Sequence, residues 1–313
     1  MKETIDIVVI SLFDGLSGAR LALDEIDYIN VLRYYSSEIE EHPITVANNN
    51  YPQDTPYRLG SVIDIDTKKL LDEIQKDFGP DIKILLVGGS PCQGFSMAGK
   101  LKGSSTKEGI DVVTLEQYLS LKADGFEFDG QSYLFWEYVR IKEDIQPDYW
   151  LLENVRITKK WLPMFNNTMG VKEKAINSNL LSAQNRPRFY WSNIPMTTPT
   201  DANILWSDIS EDLPFRELKP FVFGYFGENQ RIKGMKTTKS NKANCCTTSK
   251  THTNQYYLNE DRTKMRNLSI NEYEALQTIP KDYTIGVPEG ARFKMIGNGF
   301  TRDVIAHIFK GIK

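Results

Sequence analysis

Cysteine is scarce in this chain of 313 residues: only Cys92, Cys245 and Cys246 occur, which excludes a disulfide framework. Cys245 and Cys246 are neighbours and badly placed to bridge one another. There is no Cys-x-x-Cys pair, so a zinc site of that type is excluded and no metal is expected. Long apolar runs are also missing, and none approaches membrane-spanning length. The opening, Met1-Lys2-Glu3-Thr4-Ile5-Asp6, enters a strand-like pattern almost at once and lacks the regions of a secretory signal. A soluble, cytoplasmic protein with no membrane partner is the expectation. Neither a G-x-G-x-x-G fingerprint nor a Walker lysine is present, which disfavours an NAD-dependent oxidoreductase. With a formal net charge of -3, the chain gives no global sign of nucleic-acid binding, so the distribution of charge is what matters.

Hydrophobic residues make up 40% of the chain, ample for one large domain and a smaller one. Ile5-Asp6-Ile7-Val8-Val9-Ile10-Ser11-Leu12-Phe13 reads as a buried strand, Asp14-Gly15-Leu16-Ser17-Gly18 as a tight loop, and residues 19–26 as a helix. This is the opening of a nucleotide-binding βαβ unit. The next strand, residues 31–37, ends at Glu38, where an acceptor for ribose hydroxyls belongs in such folds. The competing reading makes Glu38 a surface residue beginning a helix, with Glu40 and Glu41 at its positive end. Residues 67–78 place Leu70, Leu71, Ile74 and Phe78 on one helical face. Residues 132–141 read as a helix with core aromatics, 147–152 as a strand ending at Glu153, and stretches near 175–181 and 188–191 as the last strands. The fold class is α/β, a Rossmann-like sheet with helices on both faces.

Gly88-Gly89-Ser90-Pro91-Cys92-Gln93-Gly94-Phe95-Ser96 follows the apolar run Ile84-Leu85-Leu86-Val87, so Cys92 should sit at the carboxyl end of a central strand. Chemistry in open α/β sheets happens at that edge. Two glycines allow a tight turn and Pro91 fixes its own φ, which holds one thiol in a defined place. A lone cysteine after a strand is usually inert packing. Its company argues otherwise: Leu151-Leu152-Glu153-Asn154-Val155 follows a second apolar run, and Gln184-Asn185-Arg186-Pro187-Arg188 precedes a third. A carboxylate and two guanidiniums are thus expected at the same edge.

This constellation resembles the DNA (cytosine-5) methyltransferases, whose proline-cysteine, Glu-Asn-Val and Gln-x-Arg-x-Arg motifs stand in this order. The resemblance implies an S-adenosylmethionine-dependent methyltransferase sheet plus a smaller, irregular target-recognition domain. It also implies double-stranded DNA as substrate, a monomer and a bacterial or phage source, and it leaves open whether a cognate restriction endonuclease accompanies the protein. Carbon 5 of cytosine is too poor a nucleophile to take a methyl group from a sulfonium directly. By resemblance Cys92 adds to carbon 6, Glu153 acts at ring nitrogen 3, Arg188 holds the carbonyl oxygen, Arg186 supports the site and Asn154 orders the loop carrying Pro91. The thiol must reach a ring face, so the base leaves the duplex stack. The cofactor set it implies is Phe13, Asp14, Gly15, Leu16, Gly18, Glu38, Ile39, Ser61, Val62, Ser90, Pro91 and Asn298. The Leu-Phe-Asp-Gly form of the first motif is closer to the animal de novo branch. Ser61 stands where the family commonly has an aspartate facing the adenine amino group, so either Asp64 substitutes or this contact is weaker.

Gln93, Ser96 and Lys100 are the expected DNA contacts beside Cys92, and residues 97–109, rich in glycine, serine and lysine, read as a mobile lid. Residues 110–130 look like an insertion without an assigned role. From about residue 195 the periodicity weakens, and between residues 231 and 266 nine basic side chains face two acidic ones, a local net of +7. A solvated charged face is the usual explanation of such a run. Here Thr, Ser and Asn separate the lysines, a composition suited to phosphate and base-edge contacts, with Lys239, Lys242, Thr247 and Thr248 the chosen residues. The expected organisation is a catalytic and cofactor-binding domain over 1–194, a target-recognition domain over 195–269, and a segment over 270–313 that returns to the first domain. There Ser269 caps one helix, and the stretch from Arg292 to Phe300 leads into another. Two readings from other classes stay open: a non-catalytic homologue that binds DNA or a partner, and a tRNA cytosine methyltransferase, whose Cys-Phe-Thr signature is not found here.

Overall fold

Alternate residues of the first strand, β1 (Ile5–Leu12), are buried on opposite sides: Val8, Ile10 and Leu12 join one apolar cluster, Ile7 and Val9 another. A strand buried on both faces must lie inside a layered sandwich. The computed structural model describes residues 3–91, 94–95, 103–217, 241–248, 256–258 and 264–313. In it β1 is flanked by β2 (Ile29–Ser37) and β3 (Lys83–Gly88), both parallel to it. Then follow β4 (Tyr149–Asn154), β5 (Lys174–Asn177), the short β6 (Gln184–Asn185) and β7 (Pro187–Ser192). The main sheet runs β2-β1-β3-β4-β7-β5, with β7 antiparallel to both its neighbours.

Helices cover both faces. On one lie α3 (Thr67–Phe78) and α5 (Leu134–Ile145), whose Leu70, Ile74, Phe135, Trp136 and Tyr138 meet Val8, Ile10 and Leu86. On the other lie α1 (Gly18–Leu23) and the last helix, Arg302–Phe309, which bring Ala19, Ala22, Val304, Ile305 and Ile308 onto Ile7, Val9, Leu85 and Val87, while α2 (Glu41–Asn50) follows β2 in the chain. The chain therefore ends packed on its first strand. Helix Ile270–Leu276 opens with a reciprocal cap, Glu272 N donating to Ser269 Oγ at 3.1 Å and Ser269 N to Glu272 Oε2 at 2.8 Å. Among the described residues no helix is long and apolar enough to cross a membrane.

Three local expectations change. The stretch near 175–181 is strand only to Asn177, after which Ser178–Leu180 turns as a short 3-10 helix capped by the Asn177 side chain. The Arg292 stretch does not merely lead into a helix but lies within one, Glu289–Asn298. Residues 103–106 of the expected lid are buried: Gly103 N donates to Gly94 O at 2.8 Å, and a Cβ on Gly103 would meet the Trp161 ring at 2.3 Å. Those residues are fixed packing, 107–109 are exposed, and 97–102 lie outside the described residues. Within the 110–130 insertion, α4 (Leu115–Ala123) packs on α5 through the buried carboxylate of Glu137, which pairs with Lys122 at 2.6 Å and Arg140 at 2.7 Å and accepts from the Tyr118 hydroxyl.

Candidate active site

At the carboxyl edge of the sheet the ends of β3 and β4 lie side by side, Gly88 paired with Leu152. Gly89 lets them close up: a Cβ there would sit 3.4 Å from Glu153 Oε2 and 3.1 Å from the Phe300 ring. Asn154 donates to Ser90 O at 3.2 Å and accepts from Val155 N at 2.8 Å, so its amide ties the Ser90-Pro91 turn to β4. Glu153 is opposite Tyr190 in the antiparallel β4–β7 pair, which brings Arg188 of β7 to its carboxylate, with Nε 3.1 Å from Oε1. Both side chains are nearly buried, 13% exposed for Arg188 and 12% for Glu153. Burial pushes the Glu153 carboxyl above its ordinary value, although Arg188 and Arg186 pull it down. The site therefore holds a carboxyl inclined to keep its proton, beside a cation that can hold an oxygen.

Arg186 is more deeply set, at 2% exposure. Its Nη2 donates to Gly299 O at 2.8 Å and Gly297 O at 3.1 Å, and its Nη1 to Cys246 O and Cys245 Sγ, both at 3.3 Å. One guanidinium thus joins the end of the sheet, helix Glu289–Asn298 and the segment carrying the two cysteines. The join is close, because a Cβ on Gly297 would lie 2.3 Å from Thr247 O. Sequence reasoning missed Cys245, which also receives Arg188 Nη2 at 3.8 Å. Burial alone would raise that thiol, but the guanidiniums of Arg186 and Arg188 outweigh it and hold it below the ordinary range. The signal available in the sequence was a Cys-Cys pair in a strongly basic stretch, which does not say which arginines it meets.

The other expected positions separate into groups. Phe13, Gly15 and Ser17 all have positive φ, at 56°, 58° and 60°, so the loop after β1 coils back on itself. Glu38 fastens it: Oε2 accepts from Gly15 N at 2.9 Å, while Oε1 accepts from Ile39 N and Glu40 N at 2.8 and 2.9 Å. Ile39 beside it is 70% exposed, and the space where a Cβ on Gly15 would point is open. Ser61 Oγ caps the short turn Val62–Asp64 by accepting from Ile63 N. Asp64 is exposed, Val62 buried, and Asn298 exposed at the end of its helix. Ser90 is buried beside Pro91, and Gly18 lies against the Phe300 ring.

Three of the expected positions have side chains turned into the protein. Asp14 was expected to touch the cofactor, but its side chain is enclosed and accepts from Ser11 Oγ, Ser17 Oγ and Tyr34 OH at 2.7, 2.6 and 2.6 Å, with Arg58 at 3.5 Å. It holds the loop from behind. Leu16, also placed in the cofactor set, is 2% exposed and packs with Val46 and Tyr51. Lys242, expected on phosphate, is 3% exposed and its ammonium donates to Ser182 O at 3.1 Å and to Ile204 O. Arg266 of the same basic stretch is spent internally as well, on Glu272 at 2.6 Å. Thr247 and Thr248 stand on the rim at half-buried and exposed positions. Cys92, Gln93, Ser96, Lys100 and Lys239 lie outside the described residues.

A family model described as C-5 cytosine-specific DNA methylase matches residues 7–194 and 225–313. Type II methyltransferase M1.ScrFI of Lactococcus lactis subsp. cremoris is 26% identical over 335 residues, covering 95% of this chain and 75% of its own length. Orphan methyltransferase M.SPRI of Bacillus phage SPR is 28% identical over 323 residues, covering 95% of this chain and 61% of its own. Among solved structures, Entamoeba histolytica methyltransferase EhMeth has a TM-score of 0.68 at 14% identity, covering 100% of both chains. S. pombe Dnmt2 methyltransferase has a TM-score of 0.63 at 14% identity, covering 97% of each. These two likenesses are of fold. The family match takes in the strand ends that carry Glu153, Arg186 and Arg188 and the C-terminal helix beside them, so the chain belongs to the C-5 cytosine-specific DNA methylases and is a DNA (cytosine-5) methyltransferase.

Proposed function

We propose that the protein methylates carbon 5 of a cytosine within a specific double-stranded DNA sequence, through a covalent bond between Cys92 and a base flipped out of the duplex. The observation that carries the reading is the nearly buried Glu153–Arg188 pair beside the Ser90-Pro91 turn. Cys92 follows that turn directly in sequence. Its thiolate adds to carbon 6 of the ring, while Glu153 delivers its proton or a strong hydrogen bond to ring nitrogen 3 and Arg188 holds the carbonyl oxygen. Electron density then gathers at carbon 5, which takes the methyl group. Loss of the carbon 5 proton and of Cys92 restores the aromatic ring.

S-adenosyl-L-methionine supplies a sulfonium-activated methyl group when bound. The residues present fit it: Gly15 leaves open space, Glu38 keeps one lone-pair site on Oε2 beyond those given to three amides, and Ile39 offers exposed apolar surface for an adenine ring. Phe13, Ser61, Val62 and Asn298 complete the set. Residues 195–269 serve as the recognition segment, with Thr247 and Thr248 toward the bases. Support comes from the packing of residues 245–248 on Arg186 and Gly297, which puts part of that segment against the reacting residues. The protein incubated with labelled S-adenosylmethionine and either duplex DNA or tRNA should label the DNA, and bisulfite sequencing should return one recurring site. Label confined to tRNA would overturn the reading.

A further inference from the structure

The wall of this site carries a charge imbalance. Arg186 is a buried cation and Arg188 a nearly buried one, and among the described residues Glu153 is within ion-pair distance of Arg188 and not of Arg186. Among the described residues the donors of Arg186 reach only carbonyl oxygens and the sulfur of Cys245, and its Nε has no partner. A guanidinium buried without an anion is costly, so the surroundings favour a negative charge where one can form. Cys245 is that place, since its sulfur meets both guanidiniums, at 3.3 and 3.8 Å. Ionised, it would set one negative charge against both guanidiniums. Unlike its neighbour, it is only partly buried.

We propose that Cys245, seated between Arg186 and Arg188, is a second reactive thiol of this enzyme and a site of covalent modification by hydroperoxides and alkylating electrophiles, and that its modification shuts off DNA methylation. With a hydroperoxide, the thiolate sulfur attacks one oxygen. An S–O bond forms, the O–O bond breaks, and the leaving hydroxide or alkoxide takes up a proton from the buffer to leave as water or an alcohol. Sulfur loses two electrons and the peroxide gains them, leaving a sulfenic acid. With iodoacetamide, a C–S bond forms and iodide leaves. Either adduct adds atoms between sulfur and guanidiniums that now touch, which displaces Arg188 from Glu153. Cys246 serves as an internal control, because burial pushes its thiol up and it is 3% exposed. The reactivity stands on the geometry alone, whereas the shut-off rests on the role proposed for Arg188.

The test uses the full chain carrying Cys92→Ser, which removes the other expected nucleophile. Iodoacetamide labelling followed by peptide mass spectrometry should modify Cys245 and spare Cys246. Between pH 6.5 and 8.5 the rate should rise by clearly less than the about fifty-fold that a thiol of ordinary pKa near 8.5 would show. Labelling of Cys245 only after denaturation, or with the ordinary pH dependence, would overturn the proposal. Iodoacetamide or hydrogen peroxide should also lower affinity at least tenfold for a duplex that the wild-type protein methylates, as read by fluorescence anisotropy. The Cys92→Ser, Cys245→Ser double variant should keep its affinity through the same treatment. Unchanged affinity of the modified single variant would overturn the shut-off. Should the untreated protein methylate no duplex at all, the proposed function falls instead, and the labelling result still decides whether Cys245 is the reactive thiol.

Discussion

Arg188 Nε and Glu153 Oε1 lie 3.1 Å apart, yet the Glu153 carboxyl stays above its ordinary value because burial outweighs the cation. The pair therefore need not be a permanently ionised salt bridge. A raised pKa keeps the acid neutral to higher pH, so a step needing that proton is supported below the raised value and lost as pH climbs through it. Single-turnover methylation should accordingly have an alkaline limb set by Glu153. Glu153→Gln, which can donate but not titrate, should slow turnover by about 10²–10⁴-fold and remove that limb. An unchanged limb in the variant would assign it to another group.

The Glu38 carboxylate accepts from three backbone amides and so sets the shape of the loop from Phe13 to Gly15. Glu38→Ala should weaken S-adenosylmethionine binding by about 1.5–3 kcal/mol, the range for hydrogen bonds to a charged group. Isothermal calorimetry reads this directly. Single-turnover rates at saturating cofactor should fall much less than affinity does.

Gly94 and Gly103 close a junction with no room for a side chain. A Cβ on Gly94 would lie 2.1 Å from Gly103 O and 2.6 Å from Ser132 Oγ. The serine can rotate, but the carbonyl is backbone and Gly103 is itself set against the Trp161 ring. Gly94→Ala should cost about 1–3 kcal/mol of stability through overpacking, measured by denaturant melts. Turnover should drop at least tenfold while calorimetric cofactor affinity holds, because Phe13, Gly15 and Glu38 stand in the loops that follow two other strands, β1 and β2.

Much of the framework was legible because periodicity and strand ends are local properties. Runs such as Ile84-Leu85-Leu86-Val87 announce buried parallel strands, and placing Glu153 at the end of one requires only that the strand exist. Ser269 with Glu272 is likewise a local cap, visible at its spacing of three. What was not legible is direction and depth. Asp14 in a glycine loop reads the same whether it faces a ligand or turns back to Ser11, Ser17 and Tyr34. The meeting of Cys245 with Arg186 joins residues 59 apart in sequence, and no local pattern encodes it. Charge counting failed in the same way, since Arg266 is spent on Glu272 inside the protein.

Lys242 offers a direct test of that last point. As a phosphate contact its removal would flatten the salt dependence of DNA binding by about one unit in the log-log slope and weaken specific and unrelated DNA alike. As the structure has it, the ammonium is buried and donates to Ser182 O and Ile204 O, where burial pushes it below the usual lysine range despite Asp201 and Asp208. Lys242→Met keeps much of the stem but leaves two carbonyls short of a donor, which should cost about 1–3 kcal/mol in a denaturant melt. The salt slope of the folded variant, read by anisotropy, should stay unchanged. Thr247 and Thr248 should behave differently, since they stand on the rim of the site and are not enclosed. Bulkier side chains there should alter which sequences bisulfite sequencing finds methylated, with non-specific affinity and its salt slope preserved. A shallower slope for Lys242→Met would mean that the ammonium leaves its carbonyls when DNA arrives. An unaltered methylation pattern in the threonine variants would move sequence reading to other parts of the recognition segment.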